Sequence, residues 1–150
     1  MSVVASAKSR LVGEAGVLAP LFTGDLASVK VLYSEPTKDV PRELVYGGEV
    51  TGPVELSAMA GGARVKRSES LILQLHIRVW KPNNSREQAD ARAAAIAEVI
   101  CNYVAANWTL GDLADLKKAV VSGVDLSGWT DDDGSGSLLT LAVSLTSYLT

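Results

Sequence analysis

Leu71, Leu73, Leu75, Ile77 and Val79 alternate with Ile72, Gln74, His76, Arg78 and Trp80. A period of two is that of a strand with one face buried and the other mixed. Lys81-Pro82-Asn83-Asn84 breaks the pattern, because proline cannot donate to a ladder and asparagine tolerates tight turns. Ser85 then opens a helix, and with Gln88 three residues later it predicts a capping box. Ala89, Ala93, Ile96, Ile100, Tyr103 and Val104 recur at helical spacing, leaving Arg86, Asp90 and Asn102 for water or a neighbour. A second stripe, Ala91, Ala95 and Val99, widens the apolar surface beyond what one sheet face requires and points to a partner.

Upstream, Val4, Ala7, Leu11, Ala15 and Leu18 predict a first helix of about four turns that ends before Pro20. Gly13 and Gly16 weaken it by about 1 kcal/mol each relative to alanine. Phe22-Thr23-Gly24-Asp25 reads as a turn, and Val29, Val31 and Tyr33 as a short strand. Residues 36–41 form an irregular crossing bounded by prolines, and residues 43–50 a second strand bent or bulged at Gly47-Gly48. Residues 54–59 continue that strand past Gly52-Pro53, and a basic, glycine-containing mobile loop at 60–68 leads into the long strand.

After the second helix, Trp108-Thr109-Leu110-Gly111 closes the structure and residues 112–116 make a short turn. A strand over 120–126 follows, then a polar loop tip at Asp131-Asp132-Asp133-Gly134-Ser135-Gly136. The closing strand alternates Leu139, Leu141, Val143 and Leu145 with Thr140, Ala142, Ser144 and Thr146. These elements predict a single α+β domain over residues 1–150. It has one antiparallel sheet of four to five strands, two helices packed on it and a terminal β-hairpin.

Composition changes this picture in two ways. Hydrophobic residues make up 47% of the chain but aromatics only 5%, so the core is built from aliphatic and small side chains. The net charge of −3 is divided unevenly, residues 1–84 carrying +2 and residues 85–150 carrying −5. That division suits a molecule meeting its own copies better than one coating nucleic acid. Cys101 is the single cysteine, so no internal disulfide can form, and within a helix it reads as a buried inert thiol. No segment approaches the ~20 apolar residues of a membrane-spanning helix, and the expected place of synthesis is the cytoplasm. Two Asn-x-Ser/Thr matches, at Asn83 and Asn107, carry little meaning without a secretory route.

Candidate chemistry is sparse. His76 is the single histidine and lies mid-strand, where it reads as a partly buried or interface side chain. No Ser-His-Asp order, phosphate-cradling glycine loop or metal-ligand spacing occurs. The run Asp131-Asp132-Asp133-Gly134 lacks the alternating ligands and terminal glutamate of a calcium loop and reads as a solvated turn. The sequence therefore predicts no catalytic residue, cofactor or metal. Arg64, Lys66 and Arg67 are the strongest electrostatic candidate, either as a solvated loop or as a contact surface. Acids on one loop and bases on another suit a ring, whose interface joins two different surfaces of the same subunit.

The order of elements resembles that of the tail terminator proteins of long-tailed bacteriophages, the small actinophage members in particular. The residues that carry the likeness are the strand from Glu69 to Trp80, the Ala89–Ile100 helix, Trp108-Thr109-Leu110-Gly111 and the closing strand from Leu138 to Leu149. The resemblance implies a structural protein, not an enzyme, that forms a homo-hexameric ring in the virion tail. Such a ring caps the head-proximal end of the tail tube, stops polymerisation and meets the head-closure or connector protein. Genome DNA passes through its lumen without sequence-specific binding. Expected contacts with neighbour and tube are Arg64, Lys66, Arg67, Glu49, Glu55, Asp131, Asp132 and Asp133. The alternatives are a head-closure or adaptor protein and a tail tube subunit.

Overall fold

The computed structural model describes residues 2–52, 54–56, 67–82 and 85–149. Its frame is β4 (Arg67–Pro82) paired antiparallel with β6 (Gly134–Leu149), from Arg67 opposite Leu149 to Pro82 opposite Gly134. At about 3.4 Å per residue these strands run roughly 50 Å. The alternation that predicts β4 sets its faces: Leu71, Leu73, Leu75, Ile77 and Val79 are buried beside Leu145, Val143, Leu141 and Leu139 of β6. Pro82 still occupies a rung, so the strand outlasts the expected break at Lys81.

On the far side of β6 lies β5 (Leu116–Thr130), completing the terminal hairpin. On the other side of β4 lie β2 (Glu43–Thr51) and then β3 (Val54–Leu56), which occupy successive stretches of the same edge. The prediction that the strand resumes after Gly52-Pro53 thus holds for 54–56, while 57–59 lie outside the described residues. β1 (Lys30–Leu32) pairs with β2 in parallel. The sheet order is β1-β2-β4-β6-β5, with β3 also on β4. One parallel pair makes the sheet mixed rather than wholly antiparallel, because residues 33–42 run back to the start of β2 instead of turning as a hairpin.

Both helices, α1 (Ser2–Val12) and α2 (Arg86–Ala106), contribute to one hydrophobic cluster with the inner face of the sheet. Ala89, Ala93, Ile96, Ile100 and Val104 of α2 are buried as their spacing predicts, and Val99 of the second stripe packs against the same core. Ala91 stays exposed. In α1, Ala7 and Leu11 are buried, whereas the side chain of Val4 lies outside the described residues.

Three local expectations need correction. The first helix stops at Val12. The chain then folds back, so that the N–H groups of Val17 and Leu18 donate to the carbonyls of Arg10 and Leu11 (2.8 and 3.3 Å). A side chain at Gly16 would press into the Leu11 carbonyl. Leu18 is buried all the same, by this return of the chain rather than by helical spacing. The capping box does not form: Ser85 makes no side-chain cap bond, and its ψ of 77° departs from the extended backbone of a capping serine. The hairpin tip is also shorter than expected. Asp131 Oδ1 accepts the N–H groups of Asp133 and Gly134 (2.9 and 2.7 Å), and β6 begins at Gly134.

Candidate functional site

The sheet's outer face, opposite the helices, carries the even-numbered residues of β4. His76 Nδ1 lies 2.9 Å from Thr140 Oγ1 of β6, and its ring sits 5.0 Å from that of Tyr46. The register of β2 shifts between Gly47 and Val50, and a side chain at Gly48 would collide with the imidazole. The predicted bulge therefore makes room for His76. Burial pushes the imidazole's pKa down, against the opposing pull of Glu35 and Glu49. Lys8, Glu35, Tyr46, Glu49, Gln74 and His76 line an open cleft here.

Toward the hairpin tip two indoles lie across the same face. Trp129 of β5 covers Gly136 and Trp80 of β4 covers Gly134, so that a Cβ at either glycine would enter the ring. Each indole also carries a guanidinium: Arg78 over Trp129 at 4.9 Å and Arg42 over Trp80 at 5.1 Å. Sequence reasoning assigned Gly134 and Gly136 to a loop. Their spacing of two is the signal that places both on one strand face.

On the helix side, Glu43 is 7% exposed at the start of β2 and pairs with Arg92 of α2, whose Nη2 lies 3.1 Å from Glu43 Oε1. Ser28 donates to the same carboxylate, and Arg92 also donates to the Asp25 carbonyl. Burial pushes the Glu43 carboxyl up, but the hydrogen bonds from Arg92 and Ser28 outweigh it and hold its pKa below the ordinary value. A second pair, Arg86 Nε to Asp90 Oδ1 at 2.8 Å, ties the first turn of α2 to the hairpin, because the buried Ser137 hydroxyl donates to the same carboxylate oxygen. The hydrogen bonds from Arg86 and Ser137 lower the pKa of Asp90. Arg10 of α1 reaches the carbonyls of Leu110 and Gly111, both at 3.1 Å, fixing the turn after α2.

The expected contact residues fall into separate places. Asp131, Asp132 and Asp133 form the exposed hairpin tip, at the end of the sheet where β6 begins. Arg67 starts β4 at the other end, roughly 50 Å away along the strands. Arg64 and Lys66 lie outside the described residues, as do the side chains of Arg67 and Glu55; of the loop expected at 60–68, residues 60–66 lie outside the described residues, and Arg67 and Ser68 already belong to β4. Glu49 is exposed on β2 beside the His76 cleft. Cys101 is half-buried, and burial pushes its thiol pKa up.

The sequence did not single out the sheet edges. Leu32 and Tyr33 are exposed at the β1 edge, and Trp108, Val120, Val124 and Leu126 at the β5 edge, with Val124 64% exposed. Single exposed apolar residues are ordinary, but a row along an edge strand is a template for another chain.

No protein-family model matches the chain, and a comparison with curated proteins finds no match. Among the described residues no helix is long and apolar enough to cross a membrane, and no group of three His, Cys, Asp or Glu side chains is placed to hold a metal ion.

Proposed function

We propose that this chain is a structural virion protein: a tail terminator that assembles into a homo-hexameric ring on the head-proximal end of a tail tube. The ring stops tube polymerisation and presents a surface to the head-closure or connector protein, and genome DNA passes through its lumen. The protein does no chemistry of its own in this role. The observation that carries the reading is the pair of apolar sheet edges, Leu32 and Tyr33 on one side and Val120, Val124 and Leu126 on the other. Two different sticky edges on one subunit suit a head-to-tail contact, which closes into a ring when the rotation allows. The α+β layout supports it further, since it follows the element order on which the resemblance rests.

The acidic tip and the start of β4 at Arg67 mark opposite ends of the sheet. They give such a ring two chemically different rims, one suited to the tube and one to the connector. Native mass spectrometry of the chain, alone and mixed with the tail tube protein of the same phage, tests the assignment. A six-copy species that forms alone or on the tube supports it. A chain that stays monomeric in both mixtures, or co-polymerises along the tube, counts against it.

A further inference from the structure

The two edges differ in how much of each is open. Near its start β5 is already occupied, because the Ala119 N–H donates to the Trp108 carbonyl at 2.7 Å, a bond outside the β5–β6 ladder. Among the described residues, the stretch from Val121 to Thr130 ends the sheet with no strand beyond it. Its faces follow from its partners on β6. Val121, Val124 and Leu126 lie opposite Val143, Leu141 and Leu139 on the helix side, while Gly123 and Asp125 lie opposite Ala142 and Thr140 on the outer side. Beside them α2 leaves a mostly apolar trough lined by Cys101, Ala105, Trp108 and Val121.

At the other edge, β1 puts Val31 on the helix side, opposite Val45, and Lys30 and Leu32 on the outer side, opposite Leu44 and Tyr46. β1 runs with β2 and against β4 and β5. A second copy placed with its helices on the same side therefore brings its β1 antiparallel to the first copy's β5.

We propose that β1 of one copy of this chain adds to the open stretch of β5 of the next, with Lys30 opposite Asp125, Val31 opposite Val124 and Leu32 opposite Gly123. This register matches faces at every rung: base meets acid, valine meets valine, and leucine crosses a glycine. One rung further, Tyr33 meets the bulge at Ser122, next to Val121 of the apolar trough. Pairing β5 with β5 of a second copy instead would leave Asp125 without an opposite charge, since the open stretch carries no base. The inference deepens the ring reading and rests on it only in requiring copies to meet head to tail.

The test uses the full chain carrying Cys101→Ser, so that the engineered cysteines have no competing thiol. Val31→Cys and Val124→Cys are introduced together and singly. Opposite residues of an antiparallel pair have Cα atoms about 4.5–5.5 Å apart, within disulfide range. Mild oxidation of the double variant should give a ladder of linked copies on non-reducing gels, and each single variant alone should give none. Ring-sized assemblies without the ladder would overturn this edge pairing and leave the ring intact. A ladder that never closes into a ring would support the pairing and remove the ring reading. Absence of both, or dimers from Val124→Cys alone, would overturn the pairing. As a second readout, Lys30→Asp or Asp125→Lys alone should weaken assembly about tenfold at low salt, and the two together should restore it. Assembly indifferent to all three variants would also overturn the register.

Discussion

Replacing Arg92 by methionine keeps an unbranched apolar stem and removes the charge and the hydrogen-bond donors, leaving Glu43 in place with the hydrogen bond from Ser28. Glu43 is 7% exposed, so its carboxylate loses the partner that offsets its burial. Breaking a buried ion pair by removing one partner costs about 3–5 kcal/mol. Arg92 retains 22% of its side-chain exposure, so water partly screens the pair. A cost of about 3 kcal/mol follows, equivalent to a fall of roughly 6–12 °C in Tm for a chain of this size.

The sign with pH is also set. The folded pKa of Glu43 lies below its unfolded value, so the wild-type stabilisation is fully present above about pH 4.5 and is lost as pH falls through the folded pKa. Without Arg92 the burial that raises the pKa has less to oppose it, and protonation relieves the variant. Its deficit should therefore shrink between pH 7 and pH 4. Adding Glu43→Gln to Arg92→Met should recover part of the loss, since the two residues act as a unit. Thermal melts by circular dichroism at pH 7 and pH 4 check this. An Arg92→Met variant within about 0.5 kcal/mol of wild type at pH 7, or an equal deficit at both pH values, would refute the reasoning.

Three further outcomes follow. Ser85→Ala should cost well under the ~1 kcal/mol typical of a lost cap, because Ser85 caps nothing; a full-sized loss in urea unfolding would restore the capping box. Gly136→Ala should destabilise by about 1–3 kcal/mol and shift the near-ultraviolet signal of Trp129, since the added carbon displaces the indole; unchanged fluorescence and stability would contradict the stacking. The pKa of His76 is lowered by burial, so the unfolded chain binds more protons over that interval and stability should rise with pH up to about 6.5. His76→Gln should flatten that slope, and a slope unaltered in the variant would place its source elsewhere.

How much of this was legible in the sequence depends on how each feature is encoded. The faces of β4 and β6 follow from a period of two sustained over many residues, and the buried stripe of α2 from helical spacing. The Gly47-Gly48 bend was legible as a bulge, although the imidazole that requires it lies on another strand. The parallel placement of β1 was not legible, because residues 33–42 carry no periodic pattern and β1 has three residues. The length of α1 was misjudged because Ala15 and Leu18 keep helical spacing although the chain has already turned back. Gly134 and Gly136 looked like loop residues because a glycine beneath an indole has no local signature distinct from a glycine in a turn.

The expected contact residues were chosen by charge. The structure sets the acidic tip and the start of β4 at opposite ends of the sheet, while the apolar edge of β5 emerges from pairing alone. In sequence Val124 and Leu126 look like core residues. They are exposed on the strand that ends the sheet among the described residues.

The most direct measurement of the central claim is electron microscopy of tails assembled with and without this protein. The terminator account predicts tails of uniform length with a ring at one end when the protein is present, and overlong, uncapped tubes when it is absent. Protein distributed along the whole tube, or tails of the same length and appearance in both preparations, would contradict it.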